Sequence, residues 1–153
     1  MAAFMKLDKK KAKKVVEERK PGVGTVYIFK MKLRHLDEYV YKIGVCQNTR
    51  RPINRLLEVL RSFWTKEQYT PDVTIKRHSR TTDIFDKEAS LHYHFGMYQY
   101  LHSKKFDGYN EFFTGIDEEY LLAIYRRCLD GEDIRALDQY RRSDVDDTGL
   151  GEE

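Results

Sequence analysis

The chain has 153 residues, of which 41% are hydrophobic and 35% charged, a composition that predicts one compact domain with a charged surface. No apolar run approaches about 18 residues and the N-terminus lacks a signal-peptide core, so no membrane association is expected. Cys46 and Cys128 form no spacing motif, which favours reduced thiols and a reducing compartment such as the cytoplasm, the host cell cytoplasm if the protein is viral.

The net charge of +3 is unevenly distributed along the chain. Residues 1–21 form a basic arm that carries Lys6, Lys9, Lys10, Lys11, Lys13, Lys14, Arg19 and Lys20. Residues 143–153 form an acidic tail, predicted to be disordered, that carries Asp144, Asp146, Asp147, Glu152 and Glu153. A basic arm and an acidic tail are common in nucleic-acid-binding proteins, although solvated termini are the simpler alternative. Residues 22–142 are predicted to form a single domain.

Three strands are predicted in chain order. Residues 25–33 and 39–45 are rich in Val, Ile, Tyr and Phe and predict an antiparallel pair, and residues 72–80 predict a third strand. Residues 109–113 predict a further short extended segment. The predicted fold class is therefore α/β, with a small, mainly antiparallel three-stranded sheet flanked by helices.

Three helices are predicted between and after these strands. The first starts near Pro52, and its apolar residues fall at helical spacing: Ile53, Leu56, Leu57, Leu60 and Trp64. Arg51 and Arg55 lie on its other side, one turn apart. The second follows a Thr/Asp cap in residues 81–95, and the third is capped by Asp117 and stopped by Gly131.

Two charged residues conflict with their apolar surroundings. Lys42 lies inside the second predicted strand, just before Gly44, where a plain hairpin would carry Val or Thr. Glu88 lies within an apolar helical stripe formed by Ile84, Leu91 and Phe95, where a carboxylate is costly unless a cation or several donors satisfy it. His92 lies one turn after Glu88, so the two side chains can converge. A buried Glu88 paired with Arg or Lys is the alternative to a metal ligand.

Five segments in this order resemble the motifs of the GIY-YIG nuclease superfamily, in the branch common in phages and large viruses whose second motif reads KIG. They are TVY at 25–27, KIG at 42–44, NRLLEVL at 54–60, KEASLHYHF at 87–95 and NEFF at 110–113. Each motif is weak alone, and the ordered set is moderately specific.

The resemblance implies a role for several residues. Tyr27 takes the place of the first tyrosine, Lys42 of the second, Arg55 of the arginine and Glu88 of the metal-binding glutamate. Asn110 takes the place of an asparagine near the end of the core.

The chain departs from the family pattern at two places. The first strand reads Thr-Val-Tyr, which keeps the tyrosine. Val59 occupies a position one turn after Arg55 where many members have His or Arg. Arg51 is an alternative to Arg55 as the catalytic arginine.

The resemblance implies a metal-dependent endonuclease that hydrolyses phosphodiester bonds in DNA with Mg²⁺ or Mn²⁺. Tyr27 would act as general base, helped by the charge of Lys42, with Tyr41 and His92 as alternative bases. Arg55 would bind phosphate oxygens and Glu88 would hold one cation. Gly44 would let the chain turn closely beneath the substrate.

Further expectations concern the partners of the chain. Lys104 and Lys105, interleaved with tyrosines, are candidate substrate-binding residues, because aromatic and basic side chains together contact nucleotides. Cutting both strands of a duplex with one active site would favour a homodimer or two sequential nicks. Two alternatives from other classes are a catalytically inactive DNA-binding module on the same scaffold and a small zinc-binding interaction protein, whose candidate ligands are His78, His92, His94 and His102.

Overall fold

The computed structural model describes residues 22–142, so the predicted basic arm and acidic tail lie outside the described residues. Its strands are β1 (Gly24–Lys32), β2 (Val40–Gln47), β3 (Asp72–Thr81), β4 (Gln99–Tyr100) and β5 (Phe112–Thr114). Its α-helices are α1 (Pro52–Glu67), α2 (Ile84–His94) and α3 (Glu118–Leu129). Short 3₁₀ turns follow at Gly96–Tyr98 and Ile134–Ala136.

The strands form one antiparallel sheet in the order β3-β1-β2-β5-β4. The predicted α/β class is confirmed, and the three long strands that were predicted form the main part of the sheet. The prediction of three strands was wrong in number, because β4 and β5, of two and three residues, add to the β2 edge. β5 overlaps the short extended segment predicted at residues 109–113, whereas the two residues of β4 have no alternating pattern of their own and depend on pairing with distant residues.

The two faces of the sheet carry different helices. Val26, Ile28 and Ile43 project to one face, where they join a core cluster with residues of α2 and α3. Tyr27 and Phe29 project to the other face and pack with Leu56 of α1. Because successive residues of a strand alternate between faces, the alternation in β1 separates the two clusters.

The buried side of helix α1 is rotated relative to the apolar side that its spacing predicted. Leu56, Val59 and Phe63 are buried, whereas Ile53, Leu57 and Trp64 remain about half exposed. Val59 is completely buried, so this departure from the family pattern is a core residue. The helix carries a second apolar stripe beside the inward one, which the sequence pattern alone could not rank.

The limits of α3 follow the predicted signals, whereas Asp83 at the N-cap of α2 makes no side-chain capping hydrogen bond within the described residues. The Asp117 side chain accepts a hydrogen bond from the Tyr120 backbone N–H at 2.9 Å, as expected of a helix N-cap. Gly131 follows α3 with a φ of +92°, in the left-handed region that glycine favours. Within residues 22–142, no helix has both the length and the apolar character needed to cross a bilayer.

Candidate active site

Lys42 is fully buried in the middle of β2. Its Nζ donates a hydrogen bond to the Tyr27 hydroxyl at 2.8 Å and forms an ion pair with the Glu111 carboxylate. A buried ammonium is costly unless such partners satisfy it, and here both are supplied by neighbouring segments of the sheet. Lys42, Tyr27 and Glu111 therefore form a polar cluster inside the fold, called the Lys42 cluster below. Lys42 is not a solvated edge residue.

Tyr27 is the second member of this cluster. Its ring is fully buried and stacks on that of Phe29, with centroids 4.1 Å apart. Burial raises the pKa of the Tyr27 phenol, and the Lys42 charge and hydrogen bond lower it by a smaller amount. Tyr27 is therefore a neutral phenol near pH 7, and Lys42 is the group that favours its ionisation most.

Replacing Lys42 with methionine should move any activity that needs ionised Tyr27 to higher pH. The near-isosteric side chain removes the main influence that lowers the Tyr27 pKa and leaves Glu111, whose charge raises it. If the rising limb of the pH–rate profile moves up by one pH unit, the lost phenolate stabilisation is about 1.4 kcal/mol. The measurement is the initial rate, from pH 6 to 10, of the DNA nicking that the GIY-YIG resemblance implies.

The matched control for this variant is Glu111→Gln, which removes the opposing charge and should move the rising limb to lower pH. Superimposable profiles for wild type and both variants would remove Lys42 and Glu111 from the active site. Lys42→Arg should be poorly active, because the larger guanidinium would have to fit the space between Gly44 and Gly108.

Gly44 leaves the space that the Tyr27–Lys42 contact occupies. It lies directly opposite Tyr27 in the β1–β2 register. A Cβ there would lie 2.6 Å from Tyr27 Cζ and 2.8 Å from Lys42 Nζ. Strand β2 continues past Gly44 to Gln47, two residues beyond the predicted end at residue 45. Because Gly44 has no side chain, Tyr27 and Lys42 can make contact in the space beside it.

Gly44→Ala should therefore destabilise the fold and displace Tyr27 and Lys42 together. Overpacking of a core site costs about 1–3 kcal/mol, so the melting temperature should fall, together with any activity that depends on Tyr27 and Lys42. Gly96→Ala is the control, since a Cβ at Gly96 would meet only Gln139 Nε2, at 3.8 Å. Equal melting temperatures for the two variants would contradict the close packing at Gly44.

Arg55 approaches the cluster from α1. Its side chain is 21% exposed and reaches Glu58 at 3.5 Å and Asp107 at 3.8 Å. Burial alone would lower the pKa of Arg55. The Tyr27 oxygen and the Glu111 charge raise this pKa by a larger amount, so the net shift is upward. Arg51 is exposed at the N-terminal cap of the same helix. The structure thus places Arg55, rather than Arg51, beside Tyr27.

Glu88 and His92 lie on one flank of α2, as the helical spacing predicted. The His92 ring donates from Nε2 to the Ile43 carbonyl at 2.7 Å, and burial lowers its pKa, so the ring is neutral. Within the described residues, no hydrogen bond or ion pair reaches the half-buried Glu88 carboxylate. Burial raises the pKa of Glu88 to about 7; the Glu111 charge adds to this and the Lys42 charge opposes it.

An unpartnered carboxylate fits a hard cation. Mg²⁺ is commonly held by one or two carboxylates together with water and substrate phosphate oxygens, and Glu88 supplies one such ligand. No group of three or more His, Cys, Asp or Glu side chains with metal-site geometry occurs in residues 22–142. The donor set therefore fits a cation shared with a substrate and not a closed structural metal centre.

Several other predicted site residues lie apart from the Lys42 cluster. Tyr41 projects to the opposite face of the sheet, where its hydroxyl donates to Glu118 at 2.9 Å. Asn110 is exposed, and its backbone carbonyl accepts a hydrogen bond from the Gln99 side chain. Lys104 lies 3.6 Å from Glu67, and Lys105 lies over the ring of Tyr109.

The four histidines proposed as zinc ligands are also dispersed. His92 is bonded to β2, and the buried His94 contacts the Tyr120 hydroxyl at 2.8 Å. His102 contacts the Tyr100 hydroxyl at 2.7 Å, and His78 lies exposed on β3. The geometry of the described residues does not favour the zinc-binding alternative.

Glu111 is the cluster member that sequence reasoning missed. It immediately precedes β5, and its backbone carbonyl accepts a hydrogen bond from the Ile43 N–H. A buried lysine needs an acidic partner, so a lysine inside an apolar strand predicts that such a partner exists. The identity of that partner depends on the pairing of β5 with β2.

The domain family of the chain follows from a comparison of its sequence with family models. The T5orf172 domain model matches residues 24–129. The chain belongs to the T5orf172 domain family. The matched T5orf172 domain begins at the first residue of β1 and ends at the last residue of α3, so it contains every member of the Lys42 cluster. No curated protein and no solved structure matches the chain.

Proposed function

We propose that this T5orf172 domain is a metal-dependent endonuclease of the GIY-YIG type that hydrolyses phosphodiester bonds in DNA. The observation that carries the proposal is the fully buried Lys42 ammonium bound to the Tyr27 hydroxyl, with Arg55 alongside. A buried cation held against a phenol is costly for the fold and places positive charge where a base must ionise. Membership of the T5orf172 family is consistent with a nuclease or DNA-binding role.

In this mechanism the Tyr27 phenol first loses its proton to solvent, and the phenolate Oη then takes a proton from the attacking water and becomes the phenol again. Lys42 stabilises the phenolate before this transfer, and Glu111 holds the Lys42 side chain in place. Arg55 donates to oxygens of the scissile phosphate, because a guanidinium presents two parallel donors to a phosphate.

Glu88 would hold one Mg²⁺ or Mn²⁺ ion. When bound, the cation neutralises charge on the phosphate and on the leaving oxygen. The Glu88 carboxylate must be ionised to bind it, so its pKa of about 7 makes the affinity for the metal rise with pH through neutrality.

The direct test incubates the purified full chain with supercoiled plasmid and Mg²⁺, with and without EDTA. The expected result is nicked or linear DNA with Mg²⁺ and intact DNA with EDTA. Intact plasmid under both conditions, from pH 6 to 10 and with Mn²⁺ in place of Mg²⁺, would contradict the proposal.

A catalytically inactive DNA-binding module is the second candidate, and the complete burial of Tyr27 favours it. A base must be reached by water, and a phenol with no exposed surface is not reached in this conformation. The two candidates differ in the plasmid assay, because an inactive module shifts DNA in a gel but leaves it uncut with either metal.

A further inference from the structure

Strand β3 is a ten-residue edge strand, and its second half is basic. Lys76, Arg77, His78 and Arg80 lie within five consecutive positions of it. Positive charge on an edge strand commonly serves only to prevent pairing with other chains. The register shows that these four residues are not equivalent.

A bulge between β1 and β3 divides the basic residues between the two faces. Phe29 pairs with Ile75 whereas Ile28 pairs with Arg77, so Lys76 is an extra residue in β3. Lys76 and Arg77 belong to the α3 face: Lys76 Nζ lies 3.3 Å from Glu118, and Arg77 lines a groove with Tyr125.

The bulge places His78 and Arg80 on the face of the Lys42 cluster. His78 pairs with Tyr27, and Arg80 pairs with Thr25. Residues that pair across antiparallel strands project to the same face, so His78 and Arg80 share that of Tyr27. With an unbulged register, Arg77 and Ser79 would take these places. The extra residue therefore decides which side chains stand beside Tyr27.

His78 and Arg80 have the exposure and freedom of ligand-binding groups. Both are exposed, and no ion pair or hydrogen bond to either side chain occurs within residues 22–142. Paired strands lie about 4.8 Å apart and two residues advance about 6.8 Å, which places Arg80 about 8 Å from Tyr27 across the sheet. His78 and Arg80 are two residues apart on the same face of β3, about 6.8 Å along the strand, so each side chain can reach a different phosphate of one DNA strand.

We propose that His78 and Arg80 bind backbone phosphates of the DNA beside the scissile bond. The proposal rests on the proposed function, since it assigns a path for the substrate of the same site. Arg55 contacts the DNA from the α1 side of Tyr27, and His78 and Arg80 contact it from the β3 side. Contacts of this kind position the duplex without reading its sequence.

The test measures the affinity of the full chain for a fluorescent DNA duplex by anisotropy in EDTA, over a series of salt concentrations. Arg80→Ala should weaken binding and reduce the slope of log K against log salt by about one, and His78→Ala/Arg80→Ala should weaken binding further. Arg80→Lys should keep most of the slope, because a lysine still neutralises a phosphate.

Arg77→Ala is the matched control, because it removes the same charge from the same strand on the opposite face. It should retain the wild-type salt slope. Equal effects of Arg77→Ala and Arg80→Ala, or no effect of Arg80→Ala, would overturn the phosphate path. In that case plasmid cleavage by the wild type would leave the proposed nuclease function intact. A wild-type chain that neither binds nor cuts DNA would overturn both.

Discussion

Replacing Glu88 with glutamine should abolish metal-dependent cleavage and leave a folded protein. The amide is nearly isosteric with the carboxylate, and no hydrogen bond or ion pair to Glu88 within residues 22–142 is lost. An amide is a far weaker ligand for Mg²⁺ than a carboxylate, because a hard divalent cation prefers charged oxygen. The measurement is plasmid nicking at saturating Mg²⁺.

The same variant should be more stable than the wild type at alkaline pH. Burial raises the Glu88 pKa to about 7 from 4.5, so the folded protein binds this proton more tightly than the unfolded chain. The wild type therefore loses stability as pH rises from about 4.5 to 7, and glutamine avoids the loss. With allowance for the partial exposure of Glu88, the gain above pH 7 is on the order of 1–2 kcal/mol.

Chemical unfolding at pH 4 and pH 8 measures the stability difference, which should be small at the lower pH. Glu119→Gln, on the exposed side of α3, is the control and should cut DNA and unfold like the wild type. Wild-type cleavage by Glu88→Gln would remove Glu88 as a metal ligand. For the wild type, the Mg²⁺ concentration that gives half-maximal rate should increase as pH falls below about 7.

The centre of the fold was predictable because its signals are local. Periodicity and β-branched residues indicated β1, β2 and β3, and the caps at Asp117 and Gly131 set the limits of α3. The face shared by Tyr27, Lys42 and Gly44 follows from strand alternation once β1 and β2 are paired.

The remaining features depend on pairing between distant segments. Glu111 joins Lys42 only because β5 pairs with β2, and the two residues are 69 positions apart in sequence. The same alternation that brings Lys42 to Tyr27 sends Tyr41 to the opposite face. The bulge at Lys76 changes which basic residues of β3 share a face with Tyr27, and no residue type in that segment predicts a bulge.

The identity of the arginine beside Tyr27 also depends on packing. Arg51 and Arg55 are one helical turn apart, and the sequence places both on the same side of α1. Leu56 belongs to one packed cluster with Tyr27 and Cys46. This packing places the neighbouring Arg55 close to the sheet, while Arg51 stays exposed at the start of the helix. A choice of this kind follows from the position of the helix on the sheet and not from helical spacing.

Tyr27→Phe should lower the cleavage rate by about 10²–10⁴-fold, the usual contribution of a general base. The ring keeps its buried position against Phe29, since only the hydroxyl is removed. Lys42 loses one partner but keeps its ion pair with Glu111, so the cost to folding should stay near 1–3 kcal/mol. DNA binding in EDTA should be close to that of the wild type, because a buried hydroxyl makes no phosphate contact.

Tyr41→Phe is the matched control for this loss. It removes a buried hydroxyl of the same sheet, one that donates to Glu118 on the opposite face, and should leave the rate of cleavage unchanged. The comparison separates chemistry from stability, because both variants lose one side-chain hydrogen bond of a tyrosine hydroxyl. Single-turnover rates at saturating DNA and Mg²⁺ make the measurement. If Tyr27→Phe turns over at nearly the wild-type rate, the base must be another group, and the neutral His92 ring on the flank of Glu88 becomes the first to test.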